Sequence, residues 1–471
     1  MWQTRCSIGQ NGFGRSSVGQ GDRSGRSPER SQTDCGSIDH LADRRIPTSA
    51  PRCCGQAARS GRANMVGQSE GLRSRPSKVP LLMRLLIISH TPHYFSGQQI
   101  VGLAATVREI DHLSSLFDSV IHLAPLHLGT PPLNTLLYGS LNVTLRLVAP
   151  AGGQHVLDKL KILYRLPSYV KAIAQELPRA DVVHVRCPAN ISLLAIVMLA
   201  FVRQPHLRWV KYAGNWQPTR REPWSYSFQR WWLRKGFHRG FVTVNGEWPN
   251  QPAHVRPFVN PCITDEELCT AAEVARSKTL SDPLRLLFVG ALNEAKGVGR
   301  ALHIVQRLHQ RNLPILLDVV GDGSARGKFE RLAHELGVAH CVRFHGAQSR
   351  EILSRYYAEA HLMLFPTGSS EGWPKVLSEG MAYGVVPVSG NVSSIPHYLS
   401  RFRIGRALDP YNIDAFVDAI EQYWSQPDLW EQEAQRGPDA AQHFTYSAYL
   451  RDVRKMLGLS ESVGSQPQIR D

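Results

Sequence analysis

The chain has 471 residues, 42% of them hydrophobic, which is too long for one ordinary core and apolar enough for two. No apolar run reaches the roughly 18 residues that a spanning helix needs; the longest, from Ile191 to Val202, stops at Arg203. The formal charge of +15 is uneven: residues 1–82 hold 13 Lys/Arg against 6 Asp/Glu, residues 83–262 hold 19 against 8, and residues 263–471 hold 22 against 25. The middle segment is therefore the basic one, and it suits a phosphate, an anionic lipid headgroup or an acidic polymer.

Residues 1–82 are rich in Arg, Ser, Gly and Gln and have no period of 2 or 3.6, so they offer no face to bury. They are expected to be a disordered basic tail upstream of a natural start at Met83. With almost no interleaved aromatics the tail does not suit nucleic acid. The eight cysteines, at positions 6, 35, 53, 54, 187, 262, 269 and 341, lack metal-ligand spacing and read as reduced thiols.

From Met83 onward, short apolar runs alternate with segments of helical period, the pattern of a parallel sheet covered by helices. Strands are predicted at Leu85–Ile88, Ser119–Leu123, Val182–Val185, Trp209–Tyr212 and Phe241–Val244, with helices including Val101–Leu113 and Ser168–Glu176. The pattern restarts with strands at Leu284–Val289, Ile315–Val320, Val342–Phe344, Leu362–Phe365 and Val385–Val388. Helices are predicted between these, near Val298–Gln310, Ser324–Leu336, Ser349–Ala358 and Lys375–Ala382. The expected organisation is an α/β chain with an N-terminal Rossmann-like domain over 83–262, a linker over 263–283, a C-terminal Rossmann-like domain over 284–439 and a terminal helix with a tail over 440–471.

The strongest chemical signal is the run from Leu362 to Val388, which reads strand, loop, helix, strand. In an open parallel sheet, ligands bind beyond the carboxyl ends of the strands, where the loop from Thr367 to Trp373 must sit. Pro374 suits the first helical turn, so the free amides of Gly372, Trp373 and Lys375 would face an anion such as a diphosphate. Glu371 lies just ahead of that helix and Glu379 within it. Carboxylates beside a diphosphate would repel it, so hydroxyls are their fitting partners, of a sugar for one acid and of a ribose for the other.

The spacing of Glu371 and Glu379, followed by Gly380-Met-Ala-Tyr-Gly384, resembles the signature of glycosyltransferase family 4. The resemblance continues through Phe288-Val-Gly290 to Lys296-Gly297, Val320-Gly-Asp-Gly323, Val342-Arg-Phe-His-Gly346 and Val386-Pro387-Val388, covering nearly all of residues 284–400. It implies the two-domain GT-B architecture: two parallel sheets facing across a cleft, and a terminal helix, here Ala440–Leu457, crossing back to the first domain. It also implies anomeric-retaining transfer from a nucleotide diphosphosugar, with no cofactor and no obligatory metal. Carried over, Glu371 contacts the donor sugar, Glu379 the ribose and Lys296 the diphosphate, with Gly290 and Gly323 lining the donor side. One departure stands out: family members usually carry Arg after the glycine corresponding to Gly290, whereas this chain has Ala291. Lys375 or Arg326 are the candidate replacements.

The N-terminal half offers fewer signals. Gly97, in the loop after the first strand, either lets backbone amides approach the donor phosphate at a helix opening or forms an ordinary turn. Where relatives place a catalytic-site histidine this chain has Arg186, which cannot act as a base but can hold a hydroxyl or carboxylate. His184, Asn190 and Asn215 are candidates for the acceptor side, His184 being equally readable as a packed strand residue. The segment Thr219–Arg239 mixes cations with Trp224, Tyr226, Phe228, Trp231, Trp232 and Phe237, which suits an anionic membrane surface or packing on the sheet.

The resulting expectation is a retaining, cytoplasmic glycosyltransferase, peripheral on the inner face of the plasma membrane. It would act on a glycan or lipid-linked acceptor in polysaccharide assembly, with no nucleic acid partner. The alternatives are a nucleotide-sugar epimerase of the same architecture and a catalytically silent binder.

Overall fold

The computed structural model describes residues 83–150, 156–218, 222–369 and 371–459, with side chains from Tyr164 onward in the helix that begins at Val156. The expected tail over 1–82, the cations Arg220 and Arg221, and the last residues, 460–471, lie outside the described residues.

The N-terminal half runs β1 (Arg84–Ile88), β2 (His93–Ser96), β3 (Gln99–Leu103), α1 (Ala104–Ser114), β4 (Ser119–Pro125), β5 (Thr135–Leu136), β6 (Val143–Val148) and α2 (Val156–Glu176). It continues with β7 (Val182–Cys187), α3 (Asn190–Phe201), β8 (Leu207–Tyr212), α4 (Trp224–Arg234), β9 (Phe241–Val244) and β10 (Val255–Pro257). The C-terminal half runs α5 (Asp265–Ser277), β11 (Leu284–Val289), α6 (Val298–Gln310), β12 (Ile315–Val320), α7 (Arg326–Glu335), β13 (Val342–Gly346), α8 (Arg350–Glu359) and β14 (Leu362–Phe365). It ends with α9 (Lys375–Ala382), β15 (Val386–Gly390), α10 (Ile395–Phe402), β16 (Arg406–Leu408), α11 (Ile413–Ser425), α12 (Pro427–Ala441) and α13 (Tyr446–Leu457).

Each half is built on one parallel sheet, ordered β10-β9-β8-β7-β1-β4-β6 and β13-β12-β11-β14-β15-β16. Helices cover both faces, which is why β11 and β12 are nearly unbroken apolar runs rather than alternating ones. This is the GT-B arrangement expected from the sequence. Strand order reverses beside β1 and beside β11, so the crevices open past β1 and β7 in one half and past β11 and β14 in the other.

Sequence periodicity located the strands buried on both faces and the edge strand β13, and missed the edge strands β6, β10 and β16 and the small antiparallel sheet. β6 alternates Val143-Thr-Leu-Arg-Leu-Val148 at a sheet edge, β10 has three residues, and β2, β3 and β5 form a small antiparallel sheet. Because Gln99–Leu103 pairs with His93–Ser96, the helix predicted from Val101 begins only at Ala104. The segment read as a linker holds α5, which starts with a reciprocal Thr264–Glu267 capping box. Its Leu268 and Ala271 join the core of the C-terminal half, so most of 263–283 is part of that half.

The terminal helix does cross back. Tyr449, Val453, Met456 and Leu457 of α13 pack with Leu85, Ile87, Ile110 and Trp209 of the N-terminal half. At about 1.5–3 kcal/mol per buried large apolar side chain, these contacts anchor α13 to the first half. Thr445 caps the start of α13, and Gly458 ends it in the left-handed conformation.

Candidate active site at the cleft

The loops after β11 and β14 are pinned together. Lys296 N donates to Asn293 Oδ1 at 3.0 Å, Gly368 N to the Ala295 carbonyl at 2.9 Å, and Arg300 Nε to the Pro366 carbonyl at 2.8 Å. Gly297 turns the chain into α6 at φ +90°, where a Cβ would also overlap the Pro366 carbonyl. The outcome is that Lys296 Nζ donates to both carboxylate oxygens of Glu371 at 2.6 Å. Two residues far apart in sequence, each singled out for the donor, thus meet at the switch point.

The start of α9 differs from expectation in detail. Pro374 is the extended residue before the helix, and Lys375 is its first helical residue. Trp373 is buried, stacks on Phe444 at 5.4 Å between centroids and donates its indole N–H to Ser378 Oγ at 2.6 Å, so it anchors the loop. The Gly372 amide does not face an anion: it donates to the Ala213 carbonyl of the other half at 3.1 Å, and Gly214 bridges to Glu371. Leu377 N donates to the Pro374 carbonyl at 3.2 Å, so Lys375 and Val376 are the first-turn residues whose amides lack a helical acceptor.

Glu379 points into a different pocket from Glu371. Its carboxylate accepts from Arg350 Nη1 and Tyr357 OH, each at 2.9 Å, and lines a cavity of about 200 Å³ with Ile263, Glu267 and Tyr383. Arg350 is held by both oxygens of Glu267 and by the Cys262 carbonyl. A carboxylate oxygen has lone pairs left after one such bond, so Glu379 remains able to accept from diol hydroxyls.

Gly290 and Gly323 belong to the loops after β11 and β12. A Cβ on Gly323 would lie 2.6 Å from the Leu292 carbonyl, and Leu292 N donates to the Asp322 carbonyl at 3.1 Å. Gly323 therefore serves close packing of two loops. Gly290 N donates to the Val320 carbonyl at 3.0 Å, starting the same contact. Arg326 pairs with Glu330 and donates to the Phe344 carbonyl.

On the opposite wall lies a cluster that sequence reasoning did not find. Arg186 and Lys211 are side by side on β7 and β8, an arrangement of like charges that needs a counter-charge. Glu109 of α1, fully buried, supplies it: Oε1 accepts from Arg186 Nη1 and Lys211 Nζ, each at 2.7 Å, and from Tyr449 OH of α13 at 3.3 Å. Lys375 Nζ, from the other half, lies 3.6 Å from Glu109 Oε2 and donates to the Ala105 carbonyl at 3.2 Å. Burial pushes the Glu109 carboxyl up, but Arg186, Lys211 and Lys375 outweigh it and hold the group well below the usual carboxylate range. Burial drives the Lys211 ammonium down to about 7 despite Glu109. Arg186, expected at the catalytic site to hold a hydroxyl or carboxylate, holds the carboxylate of Glu109. The signals were Glu109 one turn before Leu113 on the packed face of α1, and Lys211 two residues after inward-facing Trp209.

Residues 271–442 match the family described as glycosyl transferases group 1. This segment is a group 1 glycosyltransferase domain. The chain is 32% identical over 125 residues to the amylovoran biosynthesis glycosyltransferase AmsK of Erwinia amylovora, covering 26% of this chain and 31% of that protein. It is 26% identical over 188 residues to the D-inositol 3-phosphate glycosyltransferase of Corynebacterium urealyticum, covering 38% and 43%. The chain thus spans less than half the length of these curated relatives. By fold it is similar to the sucrose-phosphate synthase of Thermosynechococcus elongatus, with a TM-score of 0.60 at 18% identity over 80% of this chain and 100% of that one. It is also similar to Anabaena Alr3699/HepE in complex with UDP and glucose, with a TM-score of 0.56 at 13% identity over 80% and 99%.

The half facing this glycosyltransferase domain keeps some candidates in play and removes others. His184 is fully buried and stacked on Trp209 at 3.7 Å, so it is a packed strand residue and does not reach the acceptor side. Asn190 is exposed at the start of α3 and lines a cavity of about 290 Å³ with His90, His127, Tyr169 and Tyr226. Asn215 lines a cavity of about 220 Å³ shared by both halves, with Trp248 on one side and Gly368 and Tyr411 on the other. Gly97 sits at φ +61° in the hairpin turn between β2 and β3, seven residues before α1, and not at a helix opening.

The hairpin is fixed by a closed ring of buried and part-buried hydrogen bonds. Thr91 N donates to Ser89 Oγ, and Ser89 Oγ–H to His122 Nε2 at 2.7 Å. His122 Nδ1–H donates to Tyr138 OH at 2.7 Å, Tyr138 O–H to His93 Nε2 at 3.0 Å, and His93 Nδ1–H to the Thr91 carbonyl at 2.9 Å. Every member donates once around the ring only if both histidines are neutral. Burial lowers the pKa of each, most strongly at His122. Unfolding lets both protonate near 6.5, so the stability they carry is present above that pH and is lost as pH falls below it. The melting temperature should therefore drop from pH 7 to pH 5. Tyr138→Phe should cost about 1–3 kcal/mol for each ring nitrogen it orphans. A Tyr138→Phe protein that melts with the wild type would contradict this account.

Proposed function

We propose that the chain is a retaining glycosyltransferase that moves a sugar from a nucleotide diphosphosugar to a glycan or lipid-linked acceptor in polysaccharide assembly. The observation that carries this reading is the Lys296–Glu371 pair at the switch point beside the start of α9. When the bond between sugar and diphosphate breaks, negative charge grows on the leaving oxygen. The Lys296 ammonium and the first-turn amides of α9 stabilise that charge, and they do so most in the transition state. Glu371 accepts from a sugar hydroxyl and fixes the ring, while Glu379 takes the ribose diol in its own pocket. The donor's phosphate oxygen takes the acceptor proton, so the chemistry does not need a histidine at position 186.

The likeness to AmsK supports a polysaccharide pathway, and the likeness to a protein holding UDP and glucose supports this class of donor. Nucleoside diphosphate release from a panel of nucleotide sugars, with and without oligosaccharide or lipid-linked acceptors, tests the reading. Acceptor-stimulated release is expected. Interconversion of the donor sugar would favour an epimerase, and neither outcome a silent binder.

The membrane reading finds support in α4. Trp224 is 76% exposed and Trp231 48%, next to Phe237, Lys235 and Arg239, and Phe201 at the end of neighbouring α3 is 81% exposed. Arg230 turns inward to Glu222 and Tyr212, so it leaves the surface. This ridge places indoles and cations together, as an anionic bilayer surface favours. In flotation the protein should rise with vesicles containing phosphatidylglycerol, and Trp224→Ser/Trp231→Ser should stay below; wild-type protein found only in the soluble fraction would reject the contact.

A further inference from the structure

The buried cluster of Glu109, Arg186, Lys211 and Lys375 sets one carboxylate against three cations, drawn from β7, β8 and the first residue of α9. A neutral hydroxyl, that of Tyr449, completes the set. Even with Lys211 lowered to about 7, one carboxylate cannot neutralise both Arg186 and Lys375, and a surplus of positive charge in a mostly buried cluster is costly. Arg186 makes the closest paired contact, 2.7 and 3.3 Å to the two oxygens, and Lys211 lies at 2.7 Å behind it. Lys375 is the loosest member, at 3.6 Å, and is the one whose backbone belongs to the donor half. Its side chain is 23% exposed, whereas those of Arg186 and Lys211 are 14% and 6% exposed. Lys375 can thus leave Glu109 without stripping it of partners.

We propose that Glu109 is a positioning residue that holds Lys375 across the boundary between the halves, and that the donor's diphosphate draws the Lys375 ammonium away from it. The exchange rests on the nucleotide-sugar reading above and deepens it. Lys375 then becomes the second phosphate cation, in the place left by Ala291, and Arg186 and Lys211 remain to neutralise Glu109. The same step links donor binding to the seam, because the ammonium that serves the donor is also the one bonded to the Ala105 carbonyl of α1.

Calorimetric binding of UDP and GDP to the full chain tests this with Glu109→Gln, Lys375→Met and the double variant. In the wild type, part of the binding free energy goes into taking Lys375 from Glu109. Glu109→Gln removes that cost, so nucleoside diphosphate should bind about tenfold tighter, and Lys375→Met should bind about tenfold weaker. The effects should not multiply: in the double variant the gain from Gln disappears, whereas a mere change in overall charge would leave it intact. Lys375→Arg should bind within about threefold of the wild type if a cation there is what matters. Should Glu109→Gln fail to fold, the partly exposed Lys375→Met and Lys375→Arg carry the decision. Unchanged affinity in Lys375→Met, or independent effects in the double variant, would overturn the exchange while leaving donor binding standing. A wild-type protein that binds neither nucleotide would overturn both.

Discussion

Lys296→Ala should lower turnover about a hundredfold while leaving the melting temperature nearly unchanged. The two expectations follow from the same pair. Lys296 and Glu371 are partly buried, at 20% and 29% exposed, and water still reaches the pair, so it contributes on the order of 1 kcal/mol to stability. In the proposed reaction its weight lies in the charge that appears when the sugar leaves. Glu371→Ala should fall by a similar factor, with the loss in kcat rather than in KM, since the sugar loses its fixed hydroxyl contact. Single-turnover rates with the best donor separate these cases. A Lys296→Ala protein with near-normal kcat would remove Lys296 from the chemistry.

Gly372→Ala should be the most damaging small substitution at the seam. A Cβ there would stand 2.5 Å from the Ala213 carbonyl and overlap the Asn245 amide, both in the other half. The Gly372–Ala213 hydrogen bond and the Gly214–Glu371 bridge must then part, which moves Glu371 relative to the acceptor wall. Displacing a reacting group by about 1 Å can cost on the order of a hundredfold, so turnover should fall that far. Each half keeps its own core, and the far-ultraviolet circular dichroism should be retained. An active Gly372→Ala protein would show that the halves do not need this contact during the reaction.

The sequence by itself determined the paired parallel sheets and singled out the loop after β14 as the candidate donor loop. Strands buried on both faces must be continuous apolar runs, and β1, β4, β7, β11, β12, β14 and β15 could be read that way. Glu371 and Glu379 stood out as the acids just ahead of and within the helix that follows β14, and Lys296 stood out through the resemblance to glycosyltransferase family 4. Tertiary structure alone decided which of these groups meet. It put Lys296 on Glu371 and sent Glu379 to Arg350, and it spent the Gly372 amide on Ala213. It also turned Arg186 from a free guanidinium into a partner of Glu109, and buried His184 against Trp209. The reason is physical: periodicity reports which face of an element is apolar, but a buried charge is set by partners from other elements. Glu109 draws its partners from β7, β8, α9 and α13, and no local pattern records that convergence.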